Sequence, residues 1–136
     1  MHNNKDFLSI ADLPIGYVSD LIDLGCLSKT NSNQTILNKK NLVLLFEKPS
    51  LRTRVSFEIG IRQLGGECIY LNKEDVGMNT RESAYDIANV LNRWADGIIA
   101  RVFEHSTLIT LSKNTRIPII NALSDQEHPC QAIADL

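Results

Sequence analysis

Three short segments carry side chains that could act together on a small anion that also bears a carbonyl. The stretch FEKPSLRTRVSFE, residues 46–58, sets Ser50, Arg52, Thr53 and Arg54 between an apolar run and a helical pattern. Arg101 directly follows GIIA, and His128-Pro129-Cys130-Gln131 closes a polar stretch after IPII. A helix that begins near Ser50 presents unpaired backbone N–H groups and the positive end of its dipole. Hydroxyls on Ser50 and Thr53 add donors, and the planar fork of Arg52 matches two phosphate oxygens. That is a place for a phosphate. The Walker pattern Gly-x-x-x-x-Gly-Lys is missing, and no Gly-rich turn follows the first strand, so a small phosphorylated molecule fits better than a nucleotide. Pro129 suits the first turn of a last helix. A His128 beside that helix start is disfavoured as a cation and could donate a hydrogen bond to a carbonyl oxygen as a neutral imidazole.

Each of these residues also has a plain structural reading. Arginines in a first helical turn are commonly just solvated, and Arg54 stands four residues before Glu58, the spacing of a helical ion pair. Arg101 alone would be a surface arginine, and a lone histidine is more often structural than catalytic. Cys130, near a helix start, could in principle be an activated thiol, but packing explains it equally well. His2 and His105 read as surface residues, and Trp94, Ala88 and Leu91 as core. Met78 and Gly77 lie in a loop that could be a lid or an intersubunit contact.

The elements that must position these groups are legible as alternating patterns. Val18, Leu21, Ile22 and Leu24 suggest a helix over residues 14–24, with Gly25 at its end. NLVLLF, residues 41–46, reads as a strand buried on both faces. A helix follows over Val55, Phe57, Ile59, Ile61 and Leu64, stopped by Gly65 and Gly66. Further strands are expected at 68–71, 97–100 and 117–120, and helices at 82–95, 106–113 and after Pro129; Pro118 marks a strand start or a sheet edge. Residues 28–40, 72–80 and 122–128 read as loops. The fold class is therefore α/β: a parallel sheet of about four strands flanked by helices in three layers, with ligands beyond the carboxyl ends of the strands. Segments after the first, third and fourth strands should then converge.

The bulk composition narrows the partners. The chain has 136 residues, a net charge of −2 and 43% apolar residues, so one ordinary domain is expected. That charge argues against nucleic-acid and membrane partners. No apolar run reaches the ~18 residues of a membrane span, and the polar start MHNNKDFLSIADL lacks a signal-peptide core. Three cysteines without Cys-x-x-Cys spacing read as reduced thiols in a cytoplasmic protein with no metal site.

With these motifs in hand, the chain resembles the amino-terminal, carbamoyl-phosphate-binding domain of the aspartate/ornithine carbamoyltransferase family, on its ornithine branch. The resemblance runs from KDFLSIADL to the end of the chain. FEKPSLRTRVSFE is similar to the family's Ser-Thr-Arg-Thr-Arg phosphate loop, ARVFEH carries the arginine after a strand, and NALSDQEHPCQAIADL carries the His-Pro-x-Gln segment. The resemblance implies that Ser50, Arg52, Thr53 and the backbone N–H of Leu51 hold the phosphate of carbamoyl phosphate. It implies Arg101 and His128 at the carbonyl oxygen, as the catalytic pair, and Gln131 at the amino end. The implied reaction is attack by the δ-amino group of ornithine on the carbamoyl carbon, with no metal or organic cofactor. It also implies a homotrimer built through this domain. Leu51 stands where the common pattern has threonine, and Gly77 where many relatives place a side chain that reaches a neighbouring site. The family's second, amino-acid-binding domain has no counterpart here; residues 1–136 are expected to be the first domain alone, ending within a helix and inactive without the second. Aspartate or other amine carbamoyltransferases, and a non-catalytic binding or assembly module, are the competing readings.

Overall fold

The computed structural model describes residues 5–30 and 35–136. Its frame is a parallel sheet of β1 (Asn41–Phe46), β2 (Glu67–Asn72), β3 (Gly97–Arg101) and β4 (Ile119–Leu123), in the order β2-β1-β3-β4. The helices are α1 (Tyr17–Thr30), α2 (Leu51–Gln63), α3 (Lys73–Val76), α4 (Ala84–Trp94), α5 (His105–Lys113) and α6 (Pro129–Ala134). Strand alternation splits the apolar side chains between two layers. Val43, Leu45, Ile98 and Ala100 pack with Ile87 and Ala88 of α4 and Leu108 and Leu111 of α5. Leu44, Phe46 and Ile99 face the other way, onto Ile61 and Phe57 of α2. The expected three-layer α/β/α arrangement is the one that forms.

The helix on one face and the pair on the other define a switch point. The chain leaves β1 through α2 to reach β2 on one side, then returns past β1 to place β3 on its other side. The carboxyl ends of β1 and β3 therefore diverge into opposite helical layers, which opens the crevice where such sheets bind ligands. Beside it the β3–β4 register shifts between Ala100 and Arg101: Ala100 pairs with Asn121 and Arg101 with Leu123. A bulge at this position re-aims the side chains at the strand tips.

Several elements differ from the sequence-based expectation. The first helix does not stop at Gly25 but continues to Thr30, with Ser28 Oγ donating to the Leu24 carbonyl and Thr30 Oγ1 to that of Leu27. A mid-helix glycine costs only about 1 kcal/mol relative to alanine, so it need not end the element. Of the expected 28–40 loop, residues 31–34 lie outside the described residues, as does His2. The 72–80 loop contains α3, started by a reciprocal cap between Asn72 and Asp75 and ended by Gly77 at φ 65°. A side chain at Gly77 would run into Arg81 as well as into the left-handed backbone. Met78 in that loop is buried in the core, which ties the segment down. Strand β4 starts after Pro118 and runs through Leu123, two residues later than expected at its start. Trp94 is not core; it is 77% exposed, because α4 turns Ala84, Ile87 and Ala88 inward.

Phe7 pairs with Ile120 and covers the outer edge of β4. Asp6 fixes that attachment by accepting from the Ile119 N–H at 2.8 Å, from Lys5 Nζ and from the Ser112 hydroxyl.

Candidate functional site

Ser50 caps α2: its backbone is extended and its hydroxyl accepts from the Thr53 N–H at 3.4 Å. Leu51 and Arg52 head the helix, where their N–H groups have no intrahelical acceptor. The first turn holds no acidic residue that would neutralise the dipole. Arg52 is exposed, and among the described residues it makes no ion pair. Arg54 points elsewhere: its Nε donates to Glu58 at 3.2 Å and its guanidinium lies 3.6 Å from the centre of the Tyr70 ring. The spacing had suggested that ion pair, and Arg54 braces α2 against β2.

Arg101, the last residue of β3, reaches across the switch point and donates from Nη1 to Thr53 Oγ1 at 3.4 Å. Glu47 holds the two strand exits together. Its N–H donates to the Arg101 carbonyl, and its buried carboxylate accepts from the Phe103 N–H at 3.1 Å. Nothing in the spacing of Glu47 marked it, because its partner lies 56 residues on.

His128 caps α6, with Pro129 at the first helical position as expected. Burial pushes its pKa down from the ordinary 6.5, and the Arg101 charge pushes it further the same way. His128 is therefore a neutral imidazole close enough to feel the Arg101 charge. Burial also lowers the Arg101 pKa, though a guanidinium stays charged. Among the described residues, two buried side-chain nitrogens have no hydrogen-bond partner: Arg101 Nε and His128 Nδ1. Buried polar atoms are normally paired, and leaving one unpaired costs about 1–3 kcal/mol. Both atoms belong to residues at the carboxyl end of the sheet, Arg101 closing β3 and His128 following β4.

Not every sequence-derived candidate joins this group. Gln131 sits exposed in α6 and donates its side-chain amide to Asp135 at 2.9 Å. Leu51 contributes backbone only; its side chain is exposed. The Cys130 thiol is pushed up to about 11 by burial and donates to the Asn121 carbonyl, so it is a packed thiol and no nucleophile. His105 is not a surface residue: it is 8% exposed and hydrogen-bonded to Ser124. An open apolar groove of about 680 Å³ lies along the α2 layer, lined by Tyr17, Leu21, Phe57 and Ile120 among others. It includes none of Ser50, Arg52, Thr53, Arg101 or His128.

Fold and site together define an α/β domain in which a serine-capped helix start and Arg101 meet at a topological switch point, with His128 near enough to feel the Arg101 charge. The chain belongs to the aspartate/ornithine carbamoyltransferase family: the model of that family's carbamoyl-P binding domain matches residues 5–136. It is 49% identical over 133 residues to an ornithine carbamoyltransferase of Shewanella oneidensis, an alignment that covers 96% of this chain and 44% of the relative. The ornithine carbamoyltransferase structure from Pyrococcus furiosus superposes with a TM-score of 0.90 at 38% identity, over 96% of this chain and 43% of that one. An acetylornithine transcarbamylase complexed with acetylcitrulline superposes at 0.88 with 31% identity, over 96% of this chain and 46% of that one. The chain thus spans less than half the length of the relatives it matches.

Proposed function

We propose that residues 1–136 form the carbamoyl phosphate site of an ornithine carbamoyltransferase. The observation that carries this is the pair of unpartnered buried nitrogens, Arg101 Nε and His128 Nδ1, beside the Thr53 end of α2. Ser50, Arg52, Thr53 and the Leu51 N–H take the phosphate oxygens at the helix start. Arg101 and the neutral His128 take the carbamoyl oxygen. Gln131 takes the amino end after exchanging its bond to Asp135. When the δ-amino group of ornithine attacks the carbamoyl carbon, negative charge grows on that oxygen. Donors already in place stabilise it without reorganisation. Phosphate leaves from the α2 N-terminus and citrulline is the other product. Ornithine itself needs a second domain, and holding the two substrates together supplies much of the remaining rate.

The relatives named for ornithine favour that acceptor, although the acetylornithine enzyme shares this domain's fold. The three cysteines are free thiols, which supports a cytoplasmic setting. No helix among the described residues is long and apolar enough to cross a membrane. We also propose assembly as a homotrimer through this domain, with sedimentation of the chain as its measurement. The functional reading is tested by calorimetry with carbamoyl phosphate. The wild-type chain is expected to bind it more tightly than inorganic phosphate, and to form no citrulline from ornithine by itself. Equal affinity for the two ligands would remove the carbonyl contacts from the account, and citrulline formation by the chain alone would remove the need for a second domain.

A further inference from the structure

The ring of His128 has no hydrogen bond of its own among the described residues, since Nδ1 is unpartnered and no bond from Nε2 is made. Its placement therefore depends on packing and on the backbone of the turn that leads to it. That turn is held from α5. The Asp125 carboxylate accepts from the His105 N–H at 2.9 Å, and His105 Nδ1 lies 2.8 Å from Ser124 Oγ. Ser124 Oγ in turn accepts from the N–H groups of Gln126 and Glu127 at 3.3 and 3.4 Å. The Asn121 side-chain amide is a third donor to this oxygen, at 3.5 Å, and the hydroxyl proton has two acceptors in reach: His105 Nδ1 at 2.8 Å and the Glu127 carbonyl at 3.5 Å. In the His105 tautomer with its proton on Nε2, the hydroxyl donates to Nδ1 over the shorter distance; in the other tautomer Nδ1–H donates to the hydroxyl.

We propose that His105 is a positioning residue for His128, acting through Ser124. It stands four residues after Arg101 in the chain and grips the turn four residues before His128. One buried imidazole thereby ties the start of α5, just beyond the β3 tip that carries Arg101, to the turn that leads to His128. Losing the ring removes the side-chain tether at Ser124, while the His105 N–H bond to Asp125 and the Asn121 bond to Glu127 remain. The 124–127 turn therefore loosens at its Ser124 end, and the His128 ring shifts with it. The phosphate end, built locally on α2, stays as it is. This rests on the carbamoyl phosphate reading for its ligand, but the position of the His128 ring can be read without any ligand.

The test uses three variants, His105→Phe, Ser124→Ala and His105→Asn, the last of which keeps an acceptor near the Nδ1 position. The chain holds three histidines, so the His128 ring signals in nitrogen–proton correlation spectra are assigned by their loss in His128→Gln. His105→Phe and Ser124→Ala are expected to shift or split those signals. They should weaken carbamoyl phosphate binding by about tenfold, the scale of one net hydrogen bond. Inorganic phosphate should bind unchanged, and His105→Asn should restore both readouts. If His105→Phe does not fold, Ser124→Ala carries the test. Unchanged His128 signals overturn the proposal, as does a parallel loss of phosphate and carbamoyl phosphate binding. If the wild type takes phosphate but no carbamoyl phosphate, the functional reading fails, and the ring signals alone decide the role of His105.

Discussion

The two walls of the crevice are built in opposite ways. The α2 start, Ser50 to Thr53, is local and open: a cap, two unpaired N–H groups and an exposed arginine within four residues. The 121–128 turn is closed and braced from afar. Asn121 is fully buried, donates to the Leu8 carbonyl at 2.9 Å and to the Glu127 carbonyl at 3.3 Å, and accepts from the Leu123 N–H at 2.9 Å. Glu127 accepts from the Ile10 N–H, and His105 holds Ser124. Under the proposed function, charge attraction for a phosphate tolerates small displacements, which a helix end satisfies. Donors aimed at one oxygen do not tolerate them, which suits a wall fixed by contacts from β4, α5 and the N-terminal segment.

Substitutions should separate the two walls. Arg52→Ala removes a charged fork from the open wall and should weaken both phosphate and carbamoyl phosphate by about 100-fold or more, taking two charge-assisted bonds at roughly 1.5–3 kcal/mol each. Calorimetry reads the loss, and an unchanged unfolding midpoint would show that the fold does not use Arg52. Asn121→Ala should do the reverse. It strands partners in the closed wall and should cost about 3 kcal/mol in urea unfolding, since each buried orphan costs roughly 1–3 kcal/mol. Arg54→Ala should lower stability by about 1 kcal/mol, the sum of an exposed i,i+4 pair and one cation–π contact. Phosphate affinity should not change, and a loss there would move Arg54 into the site.

The smallest effect is on pH dependence. The His128 pKa is lowered in the fold, so its protonation opposes folding. That stability is fully present above the unfolded value of 6.5, and it is lost as pH falls from there through the folded value. The unfolding midpoint of the wild type should therefore fall more steeply below pH 6.5 than that of His128→Gln. Parallel curves would place His128 in an ordinary aqueous setting.

The open wall was legible in the sequence because its determinants are adjacent: a strand, a serine cap, arginines and a helical repeat within 46–58. The parallel sheet and its three layers followed from strands alternating with helices, but the order β2-β1-β3-β4 came only with the structure. The closed wall was legible only in its last members, His128 and Pro129. His105 looked like a surface residue and Glu47 like nothing in particular, because their partners lie 19 and 56 residues away. Asn121, in the middle of an apolar run, was the available signal: a fully buried amide must find several partners, and it recruits the turn. Trp94 misled by composition, since an aromatic at helical spacing looks like core, yet α4 buries its alanines instead.

On the proposed reading, Arg101 Nε and His128 Nδ1, both without a partner among the described residues, await the carbamoyl oxygen. The most direct measurement follows the Arg101 Nε and His128 ring nitrogen signals while ligand is added to the wild-type chain. Carbamoyl phosphate should shift both, together with the N–H signals of Leu51 and Arg52, whereas inorganic phosphate should shift only the latter two. If carbamoyl phosphate binds and leaves Arg101 Nε and the His128 ring unmoved, the two nitrogens serve some other purpose and the account is wrong.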